Sequence, residues 1–165
     1  MDARPLLVEV ARALRLAKFE AVLIGNAAAA LQGAPVTTVD FDFLFRTTPR
    51  NLQKLKQFAH ALDATVLRRY YPVSDLYRVV RDDDGLQIDF LGTIHGLRSR
   101  AAVRSRASVV EVSGVPIVVA SLADIIKSKR AARRPRDLAV LPVLERTLEE
   151  AAKSPRPTRR RQAGE

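Results

Sequence analysis

A chain of 165 residues, 47% of them apolar, has the size of one domain and enough apolar residues for one hydrophobic core. It contains no cysteine, which excludes disulfides, thiolate catalysis and cysteine-ligated zinc. Its apolar runs fall far short of the roughly 18 residues that a membrane helix needs. Because the first residues also lack a signal-peptide pattern, we expect a soluble, cytoplasmic protein with no membrane partner.

The charge points to anionic partners. Lys and Arg total 28 against 18 Asp and Glu, a formal net charge of +10. Such an imbalance attracts polyphosphates and nucleic acid at long range. Part of the excess lies in residues 153–165, which we predict to be a disordered basic tail. Two further basic segments, 98–106 and 127–136, belong to the part predicted to fold.

Helical spacing of apolar residues predicts an amphipathic helix from about residue 4 to residue 18. An apolar strand, Ala21–Ile24, follows and ends at a Gly25-Asn26 turn into a short helix. In residues 38–45, phenylalanine alternates with aspartate, which predicts a half-buried strand.

The later elements follow the same kind of signal. Pro49 begins a helix that Thr47 or Thr48 caps, and Pro135 begins the last helix, while Ser121 caps the helix before it. The predicted strands are 64–70, 76–81, the run around Asp89, 109–112 and 115–119, with turns at Asp84-Gly85 and Ser113-Gly114 that make two hairpins. We therefore predict one mixed α/β (α+β) domain over residues 1–152, a sheet over about 20–119 flanked by helices that include a C-terminal set over about 121–152.

Three carboxylates are the candidate catalytic and metal-binding residues. Asp40 and Asp42 are two residues apart on a strand, so both project from one face, roughly 6.5 to 7 Å apart. Asp89 lies in another alternating run, and an adjacent strand would bring it within about 5 Å of that pair. Three such oxygen donors suit Mg2+. The alternative is that each aspartate simply occupies the wet side of a half-buried sheet.

The order of these features resembles the nucleotidyltransferase superfamily that includes DNA polymerase beta. The family motif is an apolar run, Gly followed by Gly or Ser, about nine to thirteen residues, and an acid-apolar-acid triplet. Gly25-Asn26 and Asp40-Phe41-Asp42 stand at those positions. Residues 33–42, with Thr38 before the acids, and the Lys129, Arg133 and Asp137 pattern also resemble abortive-infection (AbiEii-type) nucleotidyltransferase toxins.

The resemblance implies a nucleotidyltransferase fold and a nucleoside triphosphate (NTP) substrate, with two Mg2+ ions held by Asp40, Asp42 and Asp89. It also implies that Gly25, Asn26, Thr38, Lys129 and Arg133 bind the nucleotide. Helical phase puts Lys129 on the inward stripe of its helix, where it needs an anion. That anion is either a nucleotide phosphate or a carboxylate such as that of Asp137.

Three functions remain open at this stage. The leading one is transfer of a nucleoside monophosphate to an RNA hydroxyl such as the 3′ end of tRNA, in a toxin–antitoxin or phage-defence setting with a partner antitoxin or toxin protein. The second keeps the chemistry but modifies a protein or a small molecule. The third is a catalytically inactive RNA- or protein-interaction module, suggested by Asn26 in place of Gly or Ser.

Overall fold

The structure, a computed structural model, describes residues 3–68 and 75–154. The end of the strand predicted over 64–70 and the tail from residue 155 lie outside the described residues. Among the described residues, every helix is too short or too polar to cross a membrane.

In the described part of the chain, seven strands form one mixed sheet flanked by helices, as the sequence predicts. Helices α1 to α6 span Arg4–Leu16, Gly25–Leu31, Pro49–Ala61, Arg100–Arg106, Leu122–Ala132 and Pro135–Lys153, and strands β1 to β7 span Val22–Ile24, Asp40–Leu44, Thr65–Leu67, Tyr77–Arg81, Leu86–Leu91, Ser108–Val112 and Val115–Val119. The strand order is β3-β4-β5-β2-β1-β7-β6. Strands β2 and β5 run parallel, as do β1 and β7, and the other neighbours are antiparallel.

Alternation of phenylalanine and aspartate side chains along β2 and β5 gives the centre of the sheet one apolar and one acidic face. Phe41 and Phe43 are buried on one side of β2, while Asp40 and Asp42 point to the other. The Phe43 ring stacks on Phe90 of β5 with centroids 5.3 Å apart. Further rings from Phe19, Phe45 and Phe58 complete this aromatic cluster, which holds the two strands in register from behind the carboxylates.

Helix caps follow the local sequence. The Thr48 hydroxyl accepts a hydrogen bond from the Asn51 amide, and the Ser121 hydroxyl accepts one from the Asp124 amide, both as predicted. Helix α1 ends two residues earlier than predicted, because Lys18 takes a left-handed conformation with φ of 48° and turns the chain toward β1. Helix α4 was not predicted, since it has seven residues and buries only Val103.

Candidate active site

The three aspartates lie on the same face of the two central strands. In the parallel pair β2–β5, Asp42 is directly opposite Asp89 and Asp40 is opposite Gln87. Because side chains alternate along a strand, residues 40, 42 and 89 project to one side, away from the aromatic cluster. The sequence argument required this common face.

Gly25 brings the first turn of α2 against Asp42. Ile24 of β1 pairs with Asp42 of β2, and Gly25 follows with φ of +72°, a conformation that favours glycine. A Cβ atom on Gly25 would lie 2.9 Å from Asp42 Oδ2, closer than such atoms approach. The glycine is therefore needed for two reasons, its backbone conformation and the space that the carboxylate occupies.

The electrostatic setting of Asp42 is unfavourable for its charged form. Burial raises the pKa of Asp42 to about 6, and repulsion from Asp89 and Asp40 acts in the same direction, while Lys129 and Arg136 act against it. A cation near this carboxylate would relieve both the burial cost and the repulsion.

Asp89 already has a cationic partner within the sheet. Arg78 of β4 donates from Nε to Asp89 Oδ1 at 2.7 Å and from Nη2 to Oδ2 at 2.8 Å. This bidentate pair fixes the orientation of the Asp89 carboxylate and uses one lone pair of each oxygen. Sequence reasoning did not identify Arg78, although the Asp84-Gly85 hairpin puts it opposite Asp89 by counting back from the turn.

Lys129 is held by the carboxylate that the sequence offered as one of its two possible partners. Its Nζ lies 3.2 Å from Asp137 Oδ1, and Arg134 Nε donates to Asp137 Oδ2 at 2.6 Å. Burial alone would raise the pKa of Asp137, but the hydrogen bonds from Arg134 and Lys129 lower it below its usual value. The positive charge of Lys129 also opposes the rise in the pKa of Asp42, so this lysine interacts with both carboxylates.

Of the other residues predicted to bind the nucleotide, Thr38 makes hydrogen bonds with Asp40 at the start of β2, whereas Arg133 and Asn26 have polar groups without a partner among the described residues. The Thr38 hydroxyl accepts from the Asp40 amide and donates to the Asp40 carbonyl, both at 3.1 Å, which fastens the start of β2. Arg133 ends α5 in a left-handed conformation, and its exposed side chain makes no hydrogen bond or ion pair with a described residue. Asn26 Oδ1 is buried and has no hydrogen-bond partner in the described part of the chain.

The donor set fits a magnesium ion that is shared with substrate, but not one enclosed by protein. The described residues contain no group of three or more His, Cys, Asp or Glu side chains that could hold a metal ion by themselves. Mg2+, however, is commonly bound by one or two carboxylates together with substrate phosphates and water. Asp40 and Asp42 meet that requirement chemically, and the charge repulsion at Asp42 favours a cation.

Solved structures similar to this one identify the fold. The antibiotic-resistance factor ANT(2'')-Ia matches with a TM-score of 0.64 at 13% identity, over 88% of this chain and 83% of that chain. TM1012, a candidate nucleotidyltransferase from Thermotoga maritima, matches with a TM-score of 0.56 at 19% identity, over 88% and 92% of the two chains. At these identities the likeness shows the fold alone, and that fold is the nucleotidyltransferase fold.

JHP933 from Helicobacter pylori is also similar, with a TM-score of 0.58 at 20% identity over 88% of this chain. The chain spans 66% of the length of JHP933, just under two thirds. No curated protein matches the chain.

Residues 3–157 match the family described as nucleotidyl transferase of unknown function (DUF2204), and the chain belongs to that family. The prediction of a nucleotidyltransferase is thereby confirmed at the level of enzyme class.

Proposed function

We propose that the protein transfers a nucleoside monophosphate from an NTP to a hydroxyl group, with release of pyrophosphate, in a Mg2+-dependent reaction with RNA as the acceptor. The observation that carries the proposal is the common face of the aspartates, with Asp42 opposite Asp89 and the Gly25 turn against the Asp42 carboxylate. Mg2+ bound there would neutralise charge on the attacking and leaving oxygens of an in-line displacement.

Each residue of the site then has a defined role. Asp40 and Asp42 would hold the cation with the triphosphate, and Asp89, oriented by Arg78, would complete the acceptor-side metal site and take the proton of the acceptor hydroxyl. The Gly25-Asn26 backbone amides and the Asn26 side chain contact the phosphates. Lys129 and Arg133 supply positive charge on the nucleotide side, while Thr38 holds the strand that carries Asp40.

An RNA acceptor, such as the 3′ end of tRNA, is favoured over a small molecule because the chain carries a formal charge of +10. The resemblance to abortive-infection toxins supports a toxin–antitoxin or phage-defence role, with a protein partner. ANT(2'')-Ia is an antibiotic-resistance factor, but it shares only 13% identity with this chain, so its name does not by itself favour an antibiotic as acceptor.

The direct test is incubation of the purified protein with each α-labelled NTP, Mg2+ and total RNA or lysate. We expect label on RNA in the presence of Mg2+ and none after chelation. Label on protein would establish the alternative of protein nucleotidylation, and label on neither would favour the inactive interaction module.

Two matched pairs of variants make this assay specific. Asp42→Asn should abolish transfer, whereas Asp82→Asn in an exposed turn should leave it unchanged. Lys129→Ala should lose triphosphate affinity and transfer, whereas Lys127→Ala on the exposed face of the same helix should not. Full activity of Asp42→Asn would reject the ligand role. If Lys129→Ala lowered only the melting temperature, Lys129 would serve Asp137 alone.

A further inference from the structure

A strongly basic concavity in the described part of the chain has none of the three aspartates in its lining. Two cavities of about 340 and 740 Å³ share Arg46, Arg100 and Ala101 in their walls, so they lie side by side and are treated together as one groove. We call this groove the cationic cleft. It runs between the start of α3, the loop after β5 and helix α4.

Basic side chains dominate the walls of the cationic cleft. Arg98 joins Arg46 and Arg100 in the smaller cavity. The larger one adds Lys18, Arg50, Lys54 and Arg104, and its one acidic residue is Glu20. Like charges gathered in one groove repel each other, so their arrangement favours an anionic occupant.

Most of these cations have no partner within the described protein. Arg104 pairs with Glu20 at 2.8 Å, and Arg100 donates to the Gly92 carbonyl at 2.7 Å. The side chains of the other five make no hydrogen bond or ion pair with a described residue: Lys18, Arg46, Arg50, Lys54 and Arg98. Their donors are therefore available to a ligand with many acceptor oxygens.

The walls also limit the kind of nucleic acid that fits. Proteins that bind unpaired strands combine cations with exposed aromatic rings on which bases stack. The one aromatic residue in the described lining is Phe45, and its ring is buried in the core. Cations without stacking rings are suited to the phosphates of a paired helix, whose bases stay stacked on each other.

The cleft is connected to the aspartates through the central strands. Val22 and Leu44, which pair across β1 and β2, line the cleft. Two residues further along each strand, Ile24 pairs with Asp42. Arg46 is four residues beyond Asp42, about 13 Å along an extended chain. A short unpaired 3′ end could span that separation.

We infer that the cationic cleft binds the phosphate backbone of base-paired RNA. The inference rests on the proposed function for the role of that RNA as the acceptor, whose paired part lies in the cleft while its 3′ end reaches the aspartates. Binding itself requires neither NTP nor metal, so it can be measured apart from transfer.

The test is fluorescence anisotropy of the full chain, with EDTA and without NTP, using a labelled RNA hairpin that has an unpaired 3′ end. The cleft variant Arg46→Gln/Arg50→Gln/Lys54→Gln is compared with Arg12→Gln/Lys56→Gln/Arg146→Gln, which removes three exposed cations outside the cleft lining. At 0.15 M salt the cleft variant should lose roughly 100-fold in affinity, and its slope of log K against log salt should fall by about 2 to 3. The control should change little in either measure.

Equal losses in the two variants would overturn the inference in favour of general electrostatic attraction. Binding of oligouridine as tight as that of the hairpin would overturn the preference for paired RNA, and tighter binding of polyglutamate would indicate an acidic protein instead. The double variant Arg50→Gln/Arg98→Gln, with melting temperatures for all proteins, guards against misfolding.

The proposed function can fail separately from this inference. Cleft-dependent hairpin binding without any transfer of label would reject RNA as the acceptor and leave the binding site established. Transfer to RNA that is unaffected in the cleft variant would reject the cleft and leave the activity established.

Discussion

The surroundings of Asp42 in the folded protein disfavour the charged form of its carboxylate. Its carboxylate is surrounded by the Gly25 turn, by Asp89 on the neighbouring strand and by Asp40 two residues away. A folded-state pKa of about 6 means that the folded protein binds this proton more tightly than the unfolded chain does. Such strain is a common property of sites that are completed by a ligand.

This property predicts how stability depends on pH in metal-free buffer. Below about pH 3 the carboxyl group is protonated in both the folded and the unfolded state, so Asp42 costs nothing. As the pH rises from about 4 to about 6, the unfolded chain loses this proton first, and folding becomes less favourable by up to about 3 kcal/mol. Asp42→Asn should therefore be more stable than wild type at pH 7.5 in EDTA, with little difference at pH 4.

Urea unfolding of both proteins at the two pH values measures this difference. A variant that is less stable than wild type at pH 7.5 would contradict it, because the charged carboxylate would then contribute favourable interactions in the apo protein. Asp82→Asn, in an exposed turn, serves as the control for loss of one negative charge.

Only some of the side-chain contacts at the site could be predicted from the sequence. The alternation of Phe and Asp in β2 and β5 predicted the common face of Asp40, Asp42 and Asp89, because strand periodicity determines it. The hairpin register also puts Arg78 opposite Asp89, but this ion pair was not predicted. Asp137 was foreseen as one possible partner of Lys129, whereas the contact of Arg134 with the same carboxylate was not predicted. Such contacts depend on how α5 and α6 pack, which no local pattern specifies.

At the scale of elements, the turn between β1 and α2 controls the site. Gly25→Ala would put a Cβ against Asp42 Oδ2 and also strain a backbone with φ of +72°. Gly85→Ala is a matched control, since Gly85 has φ of +70° and nothing within 4 Å of the added Cβ.

Both glycine variants should lose stability by about 1 to 2 kcal/mol from the left-handed conformation alone. Only Gly25→Ala should also displace the Asp42 carboxylate, so it should lose most of the nucleotidyl transfer while Gly85→Ala keeps it. Transfer assays with unfolding curves on the same samples separate the two effects. Equal activities of the two variants would show that the position of Asp42 does not depend on this turn.

Among the elements, those with strong periodicity or clear turn residues were predicted, including both hairpins and the caps at Thr48 and Ser121. Short elements held by tertiary contacts were not. Helix α4 buries one side chain, so its sequence carries no apolar stripe and reads only as a basic segment. Its contribution to the cationic cleft was missed for the same reason.

At the scale of the whole molecule, the sheet and the C-terminal helices share one hydrophobic core in the described chain. The buried cluster includes Phe43 and Phe90 of the sheet, Ile125 of α5 and Leu144 of α6. Lys129 of α5 and Asp137 of α6 form an ion pair, and the charge of Lys129 also acts on Asp42. The site therefore depends on α5 and α6 being folded onto the sheet, and we expect residues 1–152 to unfold as one unit.

Leu144→Ala tests this cooperativity. Leu144 is 0% exposed, so its truncation should cost about 2 to 5 kcal/mol through lost burial and a residual cavity. Leu148→Ala on the same helix is the control, because Leu148 is 37% exposed and should cost much less. If the chain is one cooperative unit, Leu144→Ala shifts a single unfolding transition, and circular dichroism and tyrosine fluorescence, to which Tyr77 on β4 contributes, report the same midpoint. Were α5 and α6 a separate unit, the helical signal would move to lower denaturant while the signal from the sheet stayed at its wild-type midpoint.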